Sequence, residues 1–441
     1  MPFIPYFDSP ANYNCPNEFY SIGGSPYLLE KLLQYFEENR DCIADVFVGF
    51  YLFNNSFLNE KLESLAESGI QVHVVTIPIE GYDKENAQPI VNMETCEIES
   101  LSTKYDLARK IFARHYLKKA PNFHLYFFPH QYIRSSKIKT FSRGSLPYSL
   151  HIKSILVKYK NRVGDVFLSS SNFAVRDLIK EENMLLINEE AIHFETAEKF
   201  FKAIINNSIL ISAYDFKASY SDYKINFAGN SKTEGAGFIA PFYFESPFAA
   251  EASIKNIIDA AKESIVVVGQ HICPINYTLD GKSHSRLAGK DECRAGFLDN
   301  IIARAKTGVK VGFLSQTFAS GDIVFDYAFR KPSNKNAFTG FYNSIKGIGN
   351  ISYAVNENIH SKYIIADNQV FVSSFNYTPT QFVYLDNVSI ENFDHNPGKV
   401  FKGVYCETGH YCIENNAELS AKYRENYNGI LKRKETKVVK Q

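Results

Sequence analysis

The chain has 441 residues, of which 45% are hydrophobic and 22% are charged, as in ordinary soluble proteins with one or two full cores. Its 48 basic residues balance its 48 acidic residues. This balance argues against a protein that binds nucleic acid through a large net positive charge. Its seven cysteines are an odd number without a Cys-x-x-Cys pair, which argues against a disulfide framework and a structural zinc site.

The first residues, MPFIPYFDSPANY, contain three prolines and no basic region, and no apolar run in the chain reaches 18 residues. We therefore expect a cytoplasmic protein with no transmembrane segment.

The first half of the chain alternates helical and strand patterns. Leucines at helical spacing predict a helix over 26–38, with Pro26 in its first turn, and an apolar run predicts a strand over 42–51. An amphipathic helix follows at 57–69, ended by Gly69, and then strands at 70–77 and 122–128.

The same order returns about 200 residues later. A helix is predicted over 253–263, a strand over 264–270, a helix over 297–308 ended by Gly308, and strands over 309–315 and 351–355. Alternating strands and helices predict an α/β fold class, with a mixed sheet flanked by helices in each repeat. We place the repeats at 20–217 and 237–415, with a polar linker over 218–236.

Each repeat ends in a set of polar residues on predicted strands. In the second repeat they are His360, Lys362, Ser374, Asn376 and Asp386, the last of these followed by Asn387. His360 and Lys362 are two residues apart on a strand, so both side chains project from one face. Imidazole, ammonium, hydroxyl and amide groups together suit an anionic tetrahedral group such as phosphate. The alternative is a buried polar strand pair, but packing alone has no use for so many polar groups.

The first repeat carries a second copy, in which the corresponding residues are His151, Lys153, Ser170, Asn172, Glu182 and Asn183. The acid follows the Asn by ten residues in both copies. The first copy is five residues longer between Lys and Ser, where Asn161 and Gly164 predict a longer hairpin. The two copies would give one protein two matched sets of groups for an anion.

These residues resemble the phospholipase D superfamily, whose two His-x-Lys-Asp motifs build one active site across a pseudo-twofold interface. The second copy is similar to the small bacterial nuclease branch, with Ser373 in place of the usual Gly and Asp367 completing the motif. The first copy is similar to the tyrosyl-DNA phosphodiesterase branch, with Lys158 at the position of the motif Asp. The resemblance implies two similar repeats that face each other, and a phosphodiesterase with a phosphohistidine intermediate and no cofactor or metal.

The resemblance also implies roles for the residues of both copies. His151 would be the nucleophile and His360 the general acid and then base, although symmetry leaves their order open. Glu182 and Asp386 would each accept a hydrogen bond from one ring. Nonbridging oxygens would be held by Lys153, Lys362, Asn172 and Asn376, with support from Ser170 and Ser374; Asp367 joins the catalytic candidates as the motif Asp.

Two stretches contain cations and aromatic residues but no acid. Residues 131–150 contain Arg134, Lys137, Lys139, Phe141 and Arg143, and residues 330–346 contain Arg330, Lys331 and Tyr342. Cations would bind phosphates and rings would stack on bases, as in grooves for single-stranded nucleic acid. The alternative is a pair of solvated loops with anchoring aromatics.

Three functions fit these patterns. A nuclease or DNA-end processing enzyme is favoured by the two basic, aromatic stretches, with nucleic acid as the partner. A phospholipid hydrolase or phosphatidyltransferase is the second, with phospholipid as the partner. An inactive nucleic-acid-binding scaffold is the third, although a scaffold would more readily have lost one of the paired polar groups. The sequence leaves the oligomeric state open.

Overall fold

The computed structural model describes residues 2–10, 26–77, 82–83, 88–89, 104–118, 120–128, 148–173, 180–213, 235–239, 249–272, 296–316, 319–320, 323–324, 340–378 and 406–439. The chain divides into two compact units. The first consists of Met1–Lys180 and Met184–Ala228, and the second consists of Glu181–Asn183 and Gly229–Gln441.

The part of the first unit that the structure describes contains a mixed sheet and four α-helices. Its strands are β1 (Phe3–Asp8), β2 (Ile43–Phe50), β3 (Gln71–Thr76), β4 (Tyr82–Asp83), β5 (Gln88–Pro89), β6 (Phe123–Phe127), β7 (Tyr148–Leu150), β8 (Lys153–Tyr159), β9 (Asp165–Ser169), β10 (Glu182–Ile187) and β11 (Ile209–Leu210). Its helices are α1 (Pro26–Asn39), α2 (Ser56–Glu67), α3 (Lys104–Lys118) and α4 (Ala191–Asn206). The sheet order is β1-β10-β9-β8-β2-β3-β6-β11.

The second unit repeats this plan. Its strands are β12 (Ala236–Ile239), β13 (Ser264–Gly269), β14 (Lys310–Ser315), β15 (Ala319–Ser320), β16 (Ile323–Val324), β17 (Ile351–Val355), β18 (Tyr363–Ala366), β19 (Gln369–Ser373), β20 (Cys406–Asn415) and β21 (Lys437–Val439). Its helices are α5 (Ala249–Ala260), α6 (Phe297–Lys306) and α7 (Ala417–Leu431). The sheet order is β12-β20-β19-β18-β13-β14-β17-β21.

Parallel and antiparallel strand pairs follow the same order across both sheets. In the first sheet β2, β3 and β6 are parallel, while β8 runs antiparallel to β2 and to β9. In the second sheet β13, β14 and β17 are parallel, while β18 runs antiparallel to β13 and to β19. The predicted fold class, two mixed α/β repeats flanked by helices, is confirmed.

Each unit has its own apolar core, built from the inward residues of the parallel strands and the apolar faces of the helices. In the first unit Val46, Val72 and Leu125 contribute to it, and in the second unit Val267 and Phe313 do so. None of the helices among the described residues is long and apolar enough to span a membrane.

Helix ends follow the sequence prediction because glycine adopts the left-handed backbone that stops a helix. Gly69 has a φ of 95° just after α2, and Gly308 has a φ of 105° just after α6. In both cases a parallel strand starts within two residues, β3 at Gln71 and β14 at Lys310. The glycines therefore set the short turn from each helix into the sheet.

The predicted difference between the two hairpins is also confirmed. Strands β8 and β9 are joined by residues 160–164, whereas β18 and β19 are joined by residues 367–368 alone. A Cβ on Gly164 would lie 1.8 Å from the backbone oxygen of Val157, so the longer hairpin needs a glycine there. Asp367 adopts a φ of 52° in the shorter turn, a left-handed conformation that Asp tolerates better than most residues.

Strand β20 was missed by the sequence analysis. The last strand of the second repeat was predicted around Asp386 and Asn387, which lie outside the described residues. The strand that pairs with β19 is β20, with Tyr411 opposite Ser373 and Cys412 opposite Val372. This is the place that β10 takes beside β9 in the first unit.

The basic segment that follows α7 contributes a strand and an ion pair to the second unit. Strand β21 pairs antiparallel with β17, with Val438 opposite Ala354. Arg433 forms an ion pair with the buried side chain of Glu181. The segment after α7 is therefore part of the second unit's structure.

Candidate active site

The second motif begins just before β18, and three consecutive residues hold it. Residues 181–183 come from the first sequence repeat but belong to the second unit by their contacts. Glu181 pairs with Ile359 in a parallel bridge, and its carbonyl accepts hydrogen bonds from the backbone N–H groups of His360 at 3.0 Å and Ser361 at 2.7 Å. The backbone around His360 is thus fixed before any side chain of the motif is considered.

The side chain of Glu182 contacts the ring of His360 directly. Its Oε1 lies 2.6 Å from Nδ1 of His360, and its side chain is fully buried while that of His360 is 12% exposed. Because an ionised carboxylate can only accept, the ring must donate from Nδ1, which turns Nε2 into the reactive nitrogen. A short contact of this kind also stabilises the imidazolium that forms when Nε2 takes a proton.

Lys362 is completely buried, and its ammonium donates to the carbonyl of His360. Its backbone N–H donates to Oδ1 of Asn183 at 3.0 Å. The Asn that follows the acid in the sequence therefore holds the lysine of the motif, a role that the sequence analysis did not assign. A buried ammonium beside the reactive ring is suited to attract an anionic oxygen.

Tyr363 anchors the strand that carries these residues. Its hydroxyl donates to Oδ1 of Asn426 on α7 at 2.9 Å, and its ring meets that of Tyr423 edge-on at 4.7 Å. Burial raises the pKa of Tyr363 well above its ordinary value, with further contributions from neighbouring tyrosines. The residue that follows Lys362 thus remains a neutral hydrogen-bond donor that fixes β18 against the helix.

Ser374 and Asn376 follow β19, next to the motif. The backbone N–H of Ser373 donates to the carbonyl of Lys362 at 3.1 Å, so β19 ends beside the start of β18. Ser374 is fully buried, and its Oγ accepts from the backbone N–H of His410 at 3.0 Å. Asn376 is 7% exposed, and among the described residues no donor reaches its Oδ1.

In the first unit the corresponding residues take the same places. His151 precedes β8 and is partly buried, and the fully buried Lys153 donates to its carbonyl at 2.9 Å. Ser170 is fully buried after β9, and Asn172 is partly buried two residues later. The contact from Lys to the carbonyl of His two residues earlier therefore occurs in both units.

The turn that presents Asn172 is built by residues that the sequence analysis did not single out. Oγ of Ser169 accepts from the N–H of Ser171 at 3.0 Å, and Oγ of Ser171 accepts from the N–H of Phe173 at 2.9 Å. Phe173 has a φ of 53°, and its carbonyl accepts from Nδ2 of Asn55 at 3.0 Å. Local serine hydrogen bonds and one long-range amide thus maintain a left-handed residue next to Asn172.

Asp367 lies at the opposite end of β18 from Lys362, about 16 Å along an extended strand. Its carboxylate accepts backbone hydrogen bonds from Lys262 at 2.6 Å, Ser264 at 2.9 Å and Glu263 at 3.1 Å. These contacts give Asp367 a structural role between α5 and β13. In the first unit Lys158, at the corresponding position, forms an ion pair with Glu198 at 3.2 Å.

The predicted substrate-binding residues are only partly within the described structure. Arg134, Lys137, Lys139, Phe141, Arg143, Arg330 and Lys331 lie outside it, as does Asp386. Tyr342 is described and is 8% exposed, packed in the core of the second unit. This placement leaves its ring little surface on which a base could stack, so the prediction for Tyr342 is not supported.

Asp367 also allows a test by pH. Partial burial acts to raise its pKa, but the backbone N–H donors outweigh burial and hold the pKa below its ordinary value. A lowered pKa in the folded state means that the ionised carboxylate stabilises the fold above the unfolded pKa of about 4. That stabilisation disappears as the pH falls through the folded pKa.

We therefore expect Asp367→Asn to lower the free energy of unfolding by about 1 kcal/mol at neutral pH, discounted for partial solvation. The difference from the wild type should shrink as the pH falls below about 4. Thermal unfolding of both proteins at several pH values measures this, with Asp259→Asn as the control because Asp259 is exposed. An equal difference at all pH values would contradict the assignment.

In comparisons with known proteins, no protein-family model and no curated protein matched the sequence. Phosphatidylserine synthase from Haemophilus influenzae Rd KW20 is similar in structure over 95% of this chain and 87% of its own, with a TM-score of 0.55 and 12% identity. Polyphosphate kinase from Porphyromonas gingivalis is similar over 99% of this chain, with a TM-score of 0.50 and 10% identity. The chain spans about half of that kinase, 48% of its length.

A phospholipase D family member from Salmonella typhimurium, Nuc, aligns with 47% of this chain at 17% identity, with a TM-score of only 0.27. At sequence identities this low, the similarity concerns the fold alone. The recurring order of strands, the two motifs at matching places in the two sheets and the full-length similarity agree with one another. The chain therefore shares its α/β fold with phosphatidylserine synthase and polyphosphate kinase over nearly its whole length, as its resemblance to the phospholipase D superfamily implies.

Proposed function

We propose that this protein is a phosphodiesterase that acts through a phosphohistidine intermediate and needs no metal. The observation that carries the proposal is the contact of 2.6 Å between Nδ1 of His360 and Glu182, with the buried Lys362 beside it. A histidine oriented by a carboxylate can move a proton or attack phosphorus, and an adjacent ammonium stabilises the charge on the phosphoryl oxygens.

The reaction has two steps. In the first, Nε2 of His151 attacks the phosphorus, a P–N bond forms, and the bond to the leaving oxygen breaks as His360 gives that oxygen a proton. In the second, His360 takes a proton from a water molecule, the water oxygen attacks the phosphorus, and the P–N bond breaks. Each histidine returns to its starting state, so no oxidant, reductant or metal is consumed.

The other motif residues support charge on the phosphoryl group. Lys153 and Lys362 would neutralise the nonbridging oxygens, and the amides of Asn172 and Asn376 would donate to them. Ser170 and Ser374 would act through the backbone that they hold. Asp386 would accept a hydrogen bond from the ring of His151, as Glu182 does from His360. The matched spacing of the two acids in the sequence supports this pairing.

Nucleic acid is the substrate class that we propose, in a nuclease or DNA-end processing reaction. Its support is the local charge of the stretches at 131–150 and 330–346, which contain eight cations and no acid in a chain of zero net charge. The ring of Tyr342 is buried and is therefore not part of the proposed binding surface.

A phosphatidyl group is the second candidate substrate. It is favoured by the similarity to phosphatidylserine synthase, which extends over nearly the whole of both chains. The two substrates share a phosphodiester, and the same histidine chemistry would serve either, with an alcohol replacing water as the second nucleophile in a transferase. The choice therefore depends on the binding surface.

We expect turnover of a phosphodiester substrate to continue undiminished in excess EDTA, because the proposed reaction uses nitrogen nucleophiles and ammonium groups in place of a metal ion. The measurement is release of product from single-stranded DNA, duplex DNA, RNA, 3′-blocked DNA ends and phosphatidylcholine vesicles by purified protein with EDTA present. Cleavage of one of the nucleic acids alone supports the leading substrate class.

The control is the same panel with EDTA removed and Mg²⁺ or Zn²⁺ added. A reaction that stops in EDTA and returns only with added metal would contradict the mechanism. Turnover of vesicles without turnover of nucleic acid would select the phosphatidyl substrate. A folded protein with no turnover of any substrate would support the inactive scaffold.

A further inference from the structure

We infer that the C-terminal segment from Arg433 to Val439 is a positioning element for the second motif, acting through an ion pair between Arg433 and Glu181. The inference rests on the proposed function, because it concerns how His360 is held for that reaction. It assigns a role to a residue 73 positions beyond His360 in the sequence.

The first observation is the ion pair itself. Nη1 of Arg433 contacts Oε1 of Glu181, whose side chain is 2% exposed, and the side chain of Arg433 is 22% exposed. A buried carboxylate needs a partner, and removing one member of such a pair leaves an uncompensated charge. Glu181 therefore depends on Arg433 for its place in the fold.

The second observation is what the backbone of Glu181 does. Its carbonyl accepts three hydrogen bonds from two adjacent residues: the N–H groups of His360 and Ser361 and the hydroxyl of Ser361, the last at 2.8 Å. Its N–H donates to the carbonyl of Asn358 at 2.7 Å. The residue held by Arg433 thus contacts both sides of His360 along the chain.

The third observation is the next residue. Glu182 directs its carboxylate at Nδ1 of His360, so any displacement of Glu181 moves the group that orients the ring. Positioning of a catalytic ring is sensitive to such shifts, since about 1 Å of misplacement can cost roughly 10²-fold in rate.

The fourth observation is a second connection from the same segment. Oγ1 of Thr436 accepts from Nδ2 of Asn356 at 3.0 Å, and Oδ1 of Asn356 accepts from the N–H of Asn358 at 2.9 Å. Strand β21 then pairs with β17, which ends at Val355. The segment therefore supports the approach to His360 through Asn356 as well as through Glu181.

The test compares Arg433→Gln with Arg424→Gln. Arg424 is on the same helix as the residues that lead to Arg433, and its Nη2 donates to the carbonyl of Asp367 at 2.8 Å, at the other end of β18. Both arginines are partly buried, so general destabilisation should be similar. Only Arg433 should affect the motif.

Hydrogen exchange of the His360 and Ser361 amides provides a measurement that needs no activity. We expect Arg433→Gln to lower their protection at least tenfold relative to the wild type, and Arg424→Gln to leave it unchanged. Arg433→Lys, which keeps the charge, should restore part of the protection. Wild-type protection in folded Arg433→Gln would overturn the inference.

Kinetics provides the second measurement. With a substrate that the wild type cleaves, we expect Arg433→Gln to lower kcat roughly 10- to 100-fold with little change in KM, because His360 is misplaced while phosphate binding persists. Equal losses in both arginine variants would overturn the inference. If the wild type cleaves nothing, the proposed function fails, and the exchange measurement still decides the positioning role.

Arg433→Gln could fail to fold because Glu181 is left buried and charged. The double variant Arg433→Gln with Glu181→Gln removes both charges and keeps the test possible. We expect it to fold and still to show reduced protection of the His360 amide, since two neutral amides constrain Glu181's position less strongly than the ion pair. Wild-type protection and rate in the double variant would show that the pair serves stability alone.

Discussion

Replacing His360 with Asn is expected to lower the rate of phosphodiester cleavage at least about 10³-fold, and His151→Asn should have an effect of similar size. Asn approximates the size of the ring and keeps a hydrogen-bonding group, but it can neither attack phosphorus nor transfer a proton at neutral pH. In the proposed reaction each histidine acts in both steps, one as nucleophile and the other as acid and then base, so neither can substitute for the other.

The measurement is single-turnover cleavage of the best substrate, with His124→Asn as the control. His124 is on β6, where its Nε2 contacts Gln71 at 3.2 Å and its ring stacks on that of His73. It lies outside both motifs, and its replacement should retain the wild-type rate. A rate within tenfold of the wild type for His360→Asn would show that this ring is not part of the reaction.

The same experiment orders the two histidines. If His151 is the nucleophile, His360→Asn should slow hydrolysis of the intermediate and allow a phosphohistidine that keeps one ester group of the substrate to accumulate on His151. Mass spectrometry of protein quenched under alkaline conditions, which preserve phosphohistidine, locates the adduct. An adduct on His360 in the His151→Asn protein would reverse the assigned order and keep the chemistry.

Much of the fold could be predicted because local signals agreed with the global arrangement. Apolar periodicity gave α1, β2, α2 and β3 to within two residues at each end, and the same signals recurred for β13, α6 and β14. Both motifs occupy the positions in the sheets that a repeat of strand order implies. The repetition itself was therefore as informative as any single element.

Strand β20 was missed for a physical reason. Its sequence, CETGHYCIEN, contains charged and small residues, and its pairing is fixed by distant partners: β19 on one side and β12 on the other. Gly409 is there because a Cβ would lie 2.3 Å from the ring of Phe375. Close packing of this kind gives no periodic signal in the sequence.

The site was predictable in its residue types but not in its contacts. Spacing on strands identified His360, Lys362 and Asn376, because period two is a local property. The partner of His360 is Glu182, which lies 178 residues earlier in the chain, and Arg433 lies 252 residues after Glu181. Such pairings depend on how the chain is folded, and the sequence placed Glu182 only as an acid that serves one of the two rings.

Glu182→Gln is expected to lower the rate of cleavage roughly 10²- to 10⁴-fold, comparable to losses seen when a carboxylate that orients a catalytic histidine is made neutral. The amide can offer either an oxygen or an N–H to Nδ1. If it offers the N–H, the ring is held in the tautomer that protonates Nε2, and in either case the negative charge that stabilises the imidazolium is gone.

The change preserves the size of a side chain that is completely buried, so the loss should appear in kcat rather than in the fold. Glu198→Gln is the control, because Glu198 is a partly buried glutamate whose partners are Lys158 and Lys202, neither of which is proposed to contact the phosphoryl group. Thermal unfolding of each variant verifies folding, and steady-state kinetics separates kcat from KM.

A kcat within about threefold of the wild type for Glu182→Gln would mean that His360 does not rely on the charge of its partner. The proton-transfer role assigned to His360 would then have to be abandoned. A large loss in kcat at an unchanged KM would instead tie the carboxylate to the step in which His360 carries the proton, because binding of the phosphodiester through Lys362 and Asn376 does not require it.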